Sequence, residues 1–166
     1  IEFSNLGAGP VKHTLLKHNT WDQDPVQMIA DTSRSAYSLG FLSTQNYNVE
    51  TDELLFEPLS DQEIIEVTSE EPASLAYQLT LENGSQMIFT YTFYEDQYMY
   101  DLDIELVQME GYISGTNVDF GWQPALNLTE RDESQDALAT AAYIYAGGEL
   151  EKFQLEESGS NEQRIN

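Results

Sequence analysis

Cysteine is absent from this chain. That removes disulfides, zinc–thiolate centres and thiol nucleophiles together, and leaves the compartment open, because a large domain outside the cytoplasm needs no disulfide. Basic residues are nearly as scarce: six Lys and Arg stand against 30 Asp and Glu, a formal net charge of −24. Nothing here could release phosphate counterions, so nucleic acid is not an expected partner, and an anionic lipid surface would repel the chain. No run of about 18 apolar residues occurs, so no segment reads as a membrane-spanning helix. There is no signal-like segment and no initiator Met. The chain opens at Ile1 in what reads as mid-strand, like a processed or excised piece of something longer.

Several motifs are missing as well. Asn5-Leu6-Gly7-Ala8-Gly9-Pro10 reads as a turn and not a phosphate loop. A third glycine at the dinucleotide spacing and a Lys-Ser/Thr pair are lacking, and Pro10 has no backbone donor. No Gly-x-Ser-x-Gly elbow is present. The two histidines, His13 and His18, lie five residues apart across a strand end, which points them to opposite faces. They read as surface or half-buried side chains and not as metal ligands. No catalytic, cofactor or metal residue is assigned.

What the chain does have is alternation. From Leu75 to Val107 the period is two. Leu75, Tyr77, Leu79 and Leu81 share one face. Met87, Phe89, Tyr91 and Phe93 follow after Asn83-Gly84, and Tyr98, Tyr100, Leu102, Ile104 and Leu106 after Glu95-Asp96. Three half-buried strands joined by tight turns form an antiparallel meander. Equal parity across the first turn requires a three-residue loop, Glu82-Asn83-Gly84, that pairs Leu79 with Met87 and Tyr77 with Phe89. Gly84 is then left-handed in a G1 bulge. At the second turn the same argument predicts a Glu95-Asp96 loop, Phe93 meeting Tyr98 and Tyr91 opposite Tyr100.

Ten Tyr and seven Phe among 166 residues favour strands throughout. The expected architecture is all-β, an antiparallel sandwich with few or no helices, forming one domain over residues 1–166. Strands are predicted near Ile1–Phe3, Val11–Lys17, Val26–Ile29 and Tyr37–Ser43. In the acidic stretch from Gln45 to Ser74, Leu54 to Leu59 and Ile64 to Val67 are strand candidates. Further strands are expected at Val118–Trp122, Ala125–Leu128 and Glu149–Leu155, with Glu130–Asp136 a charged loop. Ala137–Tyr145 favours helix by its alanines, yet Tyr143, Ile144 and Tyr145 favour strand, and strand is the expectation. The tail from Glu156 to Asn166 is polar and expected to fray.

Asp101, Asp103 and Glu105 share one strand face. They could hold a hard cation, but the oxygen-ligand loop pattern is absent, so they read as a solvated face. Trp122 sits in an apolar run and reads as core. Trp21 lies at a polar turn and reads equally as core or as a sugar-stacking platform. Asn83-Gly84-Ser85 and Asn127-Leu128-Thr129 match glycosylation acceptors, a short and common pattern.

Taken in order, these segments resemble a known family. Asn5-Leu6-Gly7-Ala8 with Val11 and Leu16-Lys17 is similar to the opening of the large periplasmic domain of the bacterial YidC membrane-protein insertase. Tyr77–Leu81, Asn83-Gly84, Phe89–Phe93 and Asp96-Gln97-Tyr98 resemble its central meander, and Ala141-Ala142-Tyr143 with Glu151-Lys152-Phe153 its later strand pair. The resemblance implies a β-supersandwich related to galactose mutarotases, on the periplasmic side of the inner membrane, without catalysis. It also implies Sec translocon accessory subunits and nascent membrane proteins as partners. Two departures stand out. The family's central Lys is replaced around Met87-Ile88-Phe89, and its last strands and membrane-directed helix are not found before Asn166. The rival reading is a carbohydrate-binding or mutarotase-like protein, but His13 and His18 do not stand where a mutarotase would place its catalytic pair.

Overall fold

Alternating residues become sheet faces, and the sheets carry nearly all of the structure. The computed structural model describes residues 1–29, 34–124 and 126–154. About 50% is strand and 8% helical, in several antiparallel sheets, as an all-β sandwich requires. The residues fall into two compact units, Ile1–His13 with Ile29–Ala125, and Thr14–Met28 with Leu126–Asn166.

The first unit is built on the meander. Strands β6 (Glu57–Pro58), β7 (Ala73–Thr80), β8 (Gln86–Phe93) and β9 (Tyr100–Val107) form a sheet in that order. The β7–β8 hairpin has the predicted register, with Leu79 opposite Met87 and Tyr77 opposite Phe89. Its three-residue loop is closed by Leu81 N–H to Ser85 O and Gly84 N–H to Leu81 O, both 2.9 Å. Gly84 has φ +90°, as a G1 bulge requires. Asn83 Oδ1 accepts the Ser85 N–H at 2.9 Å, which fixes the turn further.

The β8–β9 register differs from the expectation by two residues. Phe93 faces Tyr100, Tyr91 faces Leu102 and Phe89 faces Ile104. The connection therefore runs from Tyr94 to Met99, with Asp96 left-handed at φ 54°. A two-residue slip keeps every side chain on its own face, so alternation cannot tell the two registers apart. The Phe93 and Tyr100 rings lie 5.3 Å apart, and the Tyr100 and Tyr37 hydroxyls share a hydrogen bond of 2.7 Å. Both contacts come with the observed register.

Against this sheet lies a second one, in which β4 (Tyr37–Leu42) sits between β10 (Asp119–Trp122) and β5 (Asn48–Glu50). Leu39 and Phe41 of β4 join Tyr77, Met87, Phe89, Tyr91, Phe56, Met109 and Ala8 in one buried cluster. Each large side chain buried there contributes about 1.5–3 kcal/mol. Strand β1 (Glu2–Ser4) pairs with the start of β2 (Gly9–Asn19). Phe3 of β1 meets Tyr91 edge-on at 4.7 Å. The turn between β1 and β2 is buried: Tyr91 Oη–H donates to Ala8 O at 2.8 Å.

Of the two strands predicted in the acidic stretch, the first shrinks to β6 and the second is not formed. After a single 3₁₀ turn at Thr51–Glu53, Leu55 makes only an isolated bridge to Leu6, and just Glu57–Pro58 pairs with β7. Ile64, Ile65 and Val67 lie in irregular chain without a sheet partner, and Ile64 is 80% exposed.

In the second unit β3 (Pro25–Ile29) runs beside β2. Helix α1 (Glu133–Ala139) replaces the end of the expected charged loop and the first alanines of the expected strand. Asp132 accepts the Gln135 N–H at 3.2 Å, the pattern of an N-cap. The rest of the segment is strand: β11 (Ala141–Ala146) pairs with β12 (Glu149–Gln154) across Gly147-Gly148, both at positive φ. Helix propensity wins where the alanines stand without aromatics, and strand wins from Ala141 onward. Leu126–Leu128, also predicted as strand, is irregular. The predicted strand residues Ala125 and Leu155 and the tail lie outside the described residues.

Candidate functional site

The second unit holds a recess. Thr20, Trp21, Asp22, Asp24, Gln27 and Asn127 line much of an open hollow of about 290 Å³. The Thr20–Asp24 turn carries one wall. Thr20 N–H donates to Asp24 O at 2.8 Å, and Gln23 is left-handed at φ 74°. The Thr20 hydroxyl also donates to Asp22. The other wall is Asn127–Thr129, tied across by Trp21 N–H to Thr129 O at 3.2 Å. Asn127 Nδ2 lies 3.4 Å from Gln27 Oε1. The Trp21 ring is 57% exposed, with the Arg131 guanidinium 5.9 Å from its centroid. Trp21 is therefore an exposed side chain and not core.

Asp136 secures the second wall. Its carboxylate accepts the backbone N–H groups of Thr129 and of Glu130, the latter at 3.1 Å. The Thr129 bond, then the Glu130 bond, hold this carboxyl below the usual carboxylate range. A group whose pKa is depressed on folding adds stability above its ordinary pKa, and that stability is lost as pH falls through the lowered value. In a Trp122→Phe background, Trp21 emission should therefore stay constant at neutral pH and change only in strong acid. Asp136→Ala should show the acid-state emission already at pH 7. Identical titrations for the two chains would show that Asp136 does not hold the wall.

The remaining sequence candidates are not brought together. Asp101, Asp103 and Glu105 are all exposed on the outer face of β9, as expected. The Asp101 carboxylate accepts the Tyr94 hydroxyl at 2.7 Å. His13 and His18 lie on β2, the first half-buried and the second exposed. Burial lowers the His13 pKa. Trp122, expected in the core, is 50% exposed. It shares a face with Phe120 on β10, whose partners Tyr37 and Leu39 point inward, but β10 is the edge strand of its sheet. Of the two acceptor-like motifs, Asn83 is engaged in its hairpin and Ser85 is buried, its hydroxyl donating to Gln108 O at 2.6 Å. Asn127 is exposed in the recess.

No group of three or more His, Asp or Glu among the described residues is placed to hold a metal ion. The recess offers an indole face, two amides and two carboxylates, which suits contact with a polar surface or a polyhydroxyl group. Sequence reasoning missed the Asn127–Thr129 wall because the bonds that tie it to Trp21 and Gln27 are long-range and leave no local pattern, and it read Asp136 only as part of a charged loop. Nor is any helix among the described residues long and apolar enough to cross a membrane.

Comparison with known proteins extends across both units. The family model of the YidC periplasmic domain matches residues 1–164. The membrane protein insertase YidC of Chlorobaculum tepidum is 28% identical over 155 residues, covering 93% of this chain and 26% of that protein. Its namesake in Chlorobaculum parvum is 28% identical over 170 residues, covering 97% and 29%. That of Chlorobium luteolum is 28% identical over 156 residues, covering 94% and 27%. The chain thus spans little more than a quarter of the length of these relatives. No solved structure matches it at a significant level. A family match across nearly every residue, on the all-β fold described above, places the chain: it belongs to the YidC periplasmic-domain family.

Proposed function

We propose that this chain is the non-catalytic periplasmic domain of an inner-membrane insertase, and that it docks translocon subunits or emerging membrane-protein substrates. The observation that carries this reading is the family match over residues 1–164, together with relatives named as membrane protein insertases. The surface supports it. A net charge of −24 attracts basic patches on a protein partner over a Debye length of about 8–10 Å and keeps the domain off anionic lipid. The two histidines stand outside the recess lining, so the recess lacks an imidazole for acid–base work on a bound sugar.

The Trp21 recess favours one other reading, a carbohydrate-binding module, because an exposed indole beside Asn127, Gln27 and Asp22 suits a sugar ring. Calorimetric titration separates the two. With galactose, glucose and calcium in turn, the docking reading expects no binding at millimolar concentration. It also expects no mutarotase or glycosidase turnover. Sugar binding in the millimolar range or tighter, abolished by Trp21→Ala, would establish the carbohydrate reading instead.

A further inference from the structure

Among the described residues the outer edge of β9 is the longest edge of the meander sheet without a strand neighbour, and its hydrogen-bonding pattern can be derived residue by residue. Leu81 and Ser85 close the β7–β8 hairpin as a bonded pair. Backbone groups alternate sides along a strand. Met87, Phe89, Tyr91 and Phe93 therefore bond toward β7, and Gln86, Ile88, Thr90 and Thr92 toward β9. Their β9 partners are Val107, Glu105, Asp103 and Asp101. The N–H and C=O groups of Tyr100, Leu102, Ile104 and Leu106 then point away from the sheet. Among the described residues no backbone group pairs with them, since β9 has β8 as its one neighbour.

Natural edges are usually blunted by proline, bulges, short length or charged side chains, lysine above all. This one runs eight residues in unbroken register, without proline and without a bulge. Its solvent face carries only acidic charge, Asp101, Asp103 and Glu105, at every second position. On the outer side these three fall at non-bonded positions, where the side chains of facing residues come closest. A second copy of this strand would set carboxylates against carboxylates. A strand with Lys or Arg at alternate residues would set each cation beside a carboxylate. Its intervening residues would lie alongside half-buried Leu102, Ile104 and Leu106, which calls for apolar side chains there.

We propose that the outer edge of β9 accepts an extended segment of a partner polypeptide, alternating basic and apolar residues, as an antiparallel fifth strand. The proposal rests on the docking reading above and names the chemistry of the partner. The probe is a fluorescent nine-residue peptide of alternating Lys and Val, followed by anisotropy with the chain. D101N/D103N/E105Q should weaken binding by about tenfold, the sum of three exposed cross-strand charge pairs. Two backbone-methylated peptides of unchanged charge test the geometry. Methylation at the Val residues blocks the N–H groups that face β9 and should abolish binding. Methylation at the Lys residues, whose N–H groups face outward, should leave binding within about threefold. Equal binding of both methylated peptides, or no loss in the triple variant, would reduce the effect to general charge attraction and overturn the proposal. If cross-links to a membrane partner survive in the triple variant, the edge is excluded and docking stands. If the unaltered chain forms none, the docking reading fails and the edge loses its partner with it.

Discussion

Phe89→Ala should destabilise the first unit by about 3–5 kcal/mol, the cost of deleting a fully buried aromatic from a packed core. Phe89 is 0% exposed and sits at the centre of β8, with the Phe56 ring 5.2 Å away and Ile104 opposite on β9. It joins the meander to the chain that follows the 3₁₀ turn at Thr51–Glu53, so truncation loosens both. Since domains are stable by about 5–15 kcal/mol in all, this is a large share. Urea unfolding followed by Trp122 emission in a Trp21→Phe background isolates the first unit, because Trp21 lies in the second. The midpoint should fall steeply with an unchanged slope. The same truncation at exposed Ile64 should stay within about 0.5 kcal/mol. Equal effects at the two positions would contradict the core assigned here.

Gly7→Ala should cost about 2–4 kcal/mol, from left-handed backbone and from steric overlap combined. Gly7 has φ +80°, and its N–H donates to Leu54 O at 2.8 Å. A Cβ built there would lie 2.7 Å from Ser35 Cβ and 2.8 Å from Asp52 Cα. The second of these is backbone, which cannot rotate aside. The whole turn from Gly7 to Pro10 would have to lift, taking with it the Ala8 carbonyl that receives the Tyr91 hydroxyl. Tyr91→Phe combined with Gly7→Ala should therefore cost less than the sum of the two single changes, because both act on one contact. Strict additivity in urea midpoints would show that the turn and the Tyr91 hydroxyl are independent.

The buried turn also shows where sequence reading stops. Gly, Asn and Pro at residues 5–10 have the chemistry of a surface turn, and local chemistry does not reveal that Tyr91, 83 residues away, reaches into it. Faces were legible and depth was not. Period two assigned Met87, Phe89 and Tyr91 to the core correctly, and put Asp101, Asp103 and Glu105 in water. Trp122 lies on the inward-turned side of β10, yet its edge position leaves it half exposed. The β7–β8 register followed from parity because a two-residue loop would have reversed a face. The β8–β9 register did not, because its alternative differs by two residues and breaks no parity. For the recess, Trp21 could be singled out as a residue but not as a site. Its second wall comes from Asn127–Thr129, with Asn127 100 residues along the chain from Gln27, and is held locally by Asp136.

These limits bear on function in the same way. The order of the segments pointed to the family, which the match over residues 1–164 bears out. Which surface meets a partner depends on edges and exposure, and those appear only once the sheets are assembled. The edge proposed on β9 is such a case. Its carboxylates are visible in the sequence, while the outward backbone groups of Leu102 and Ile104 follow from the hairpin geometry alone.

The central claim is that this domain works by docking protein partners through an acidic surface. Site-directed photo-cross-linking tests it directly, in the full-length protein and in its native membrane, with the reactive residue placed at Thr90, Glu105 or Asn127. The account predicts discrete cross-links to membrane-embedded or translocating polypeptides that fade as salt is raised. Cross-links absent at all three positions, or unchanged between low and high salt, would contradict it.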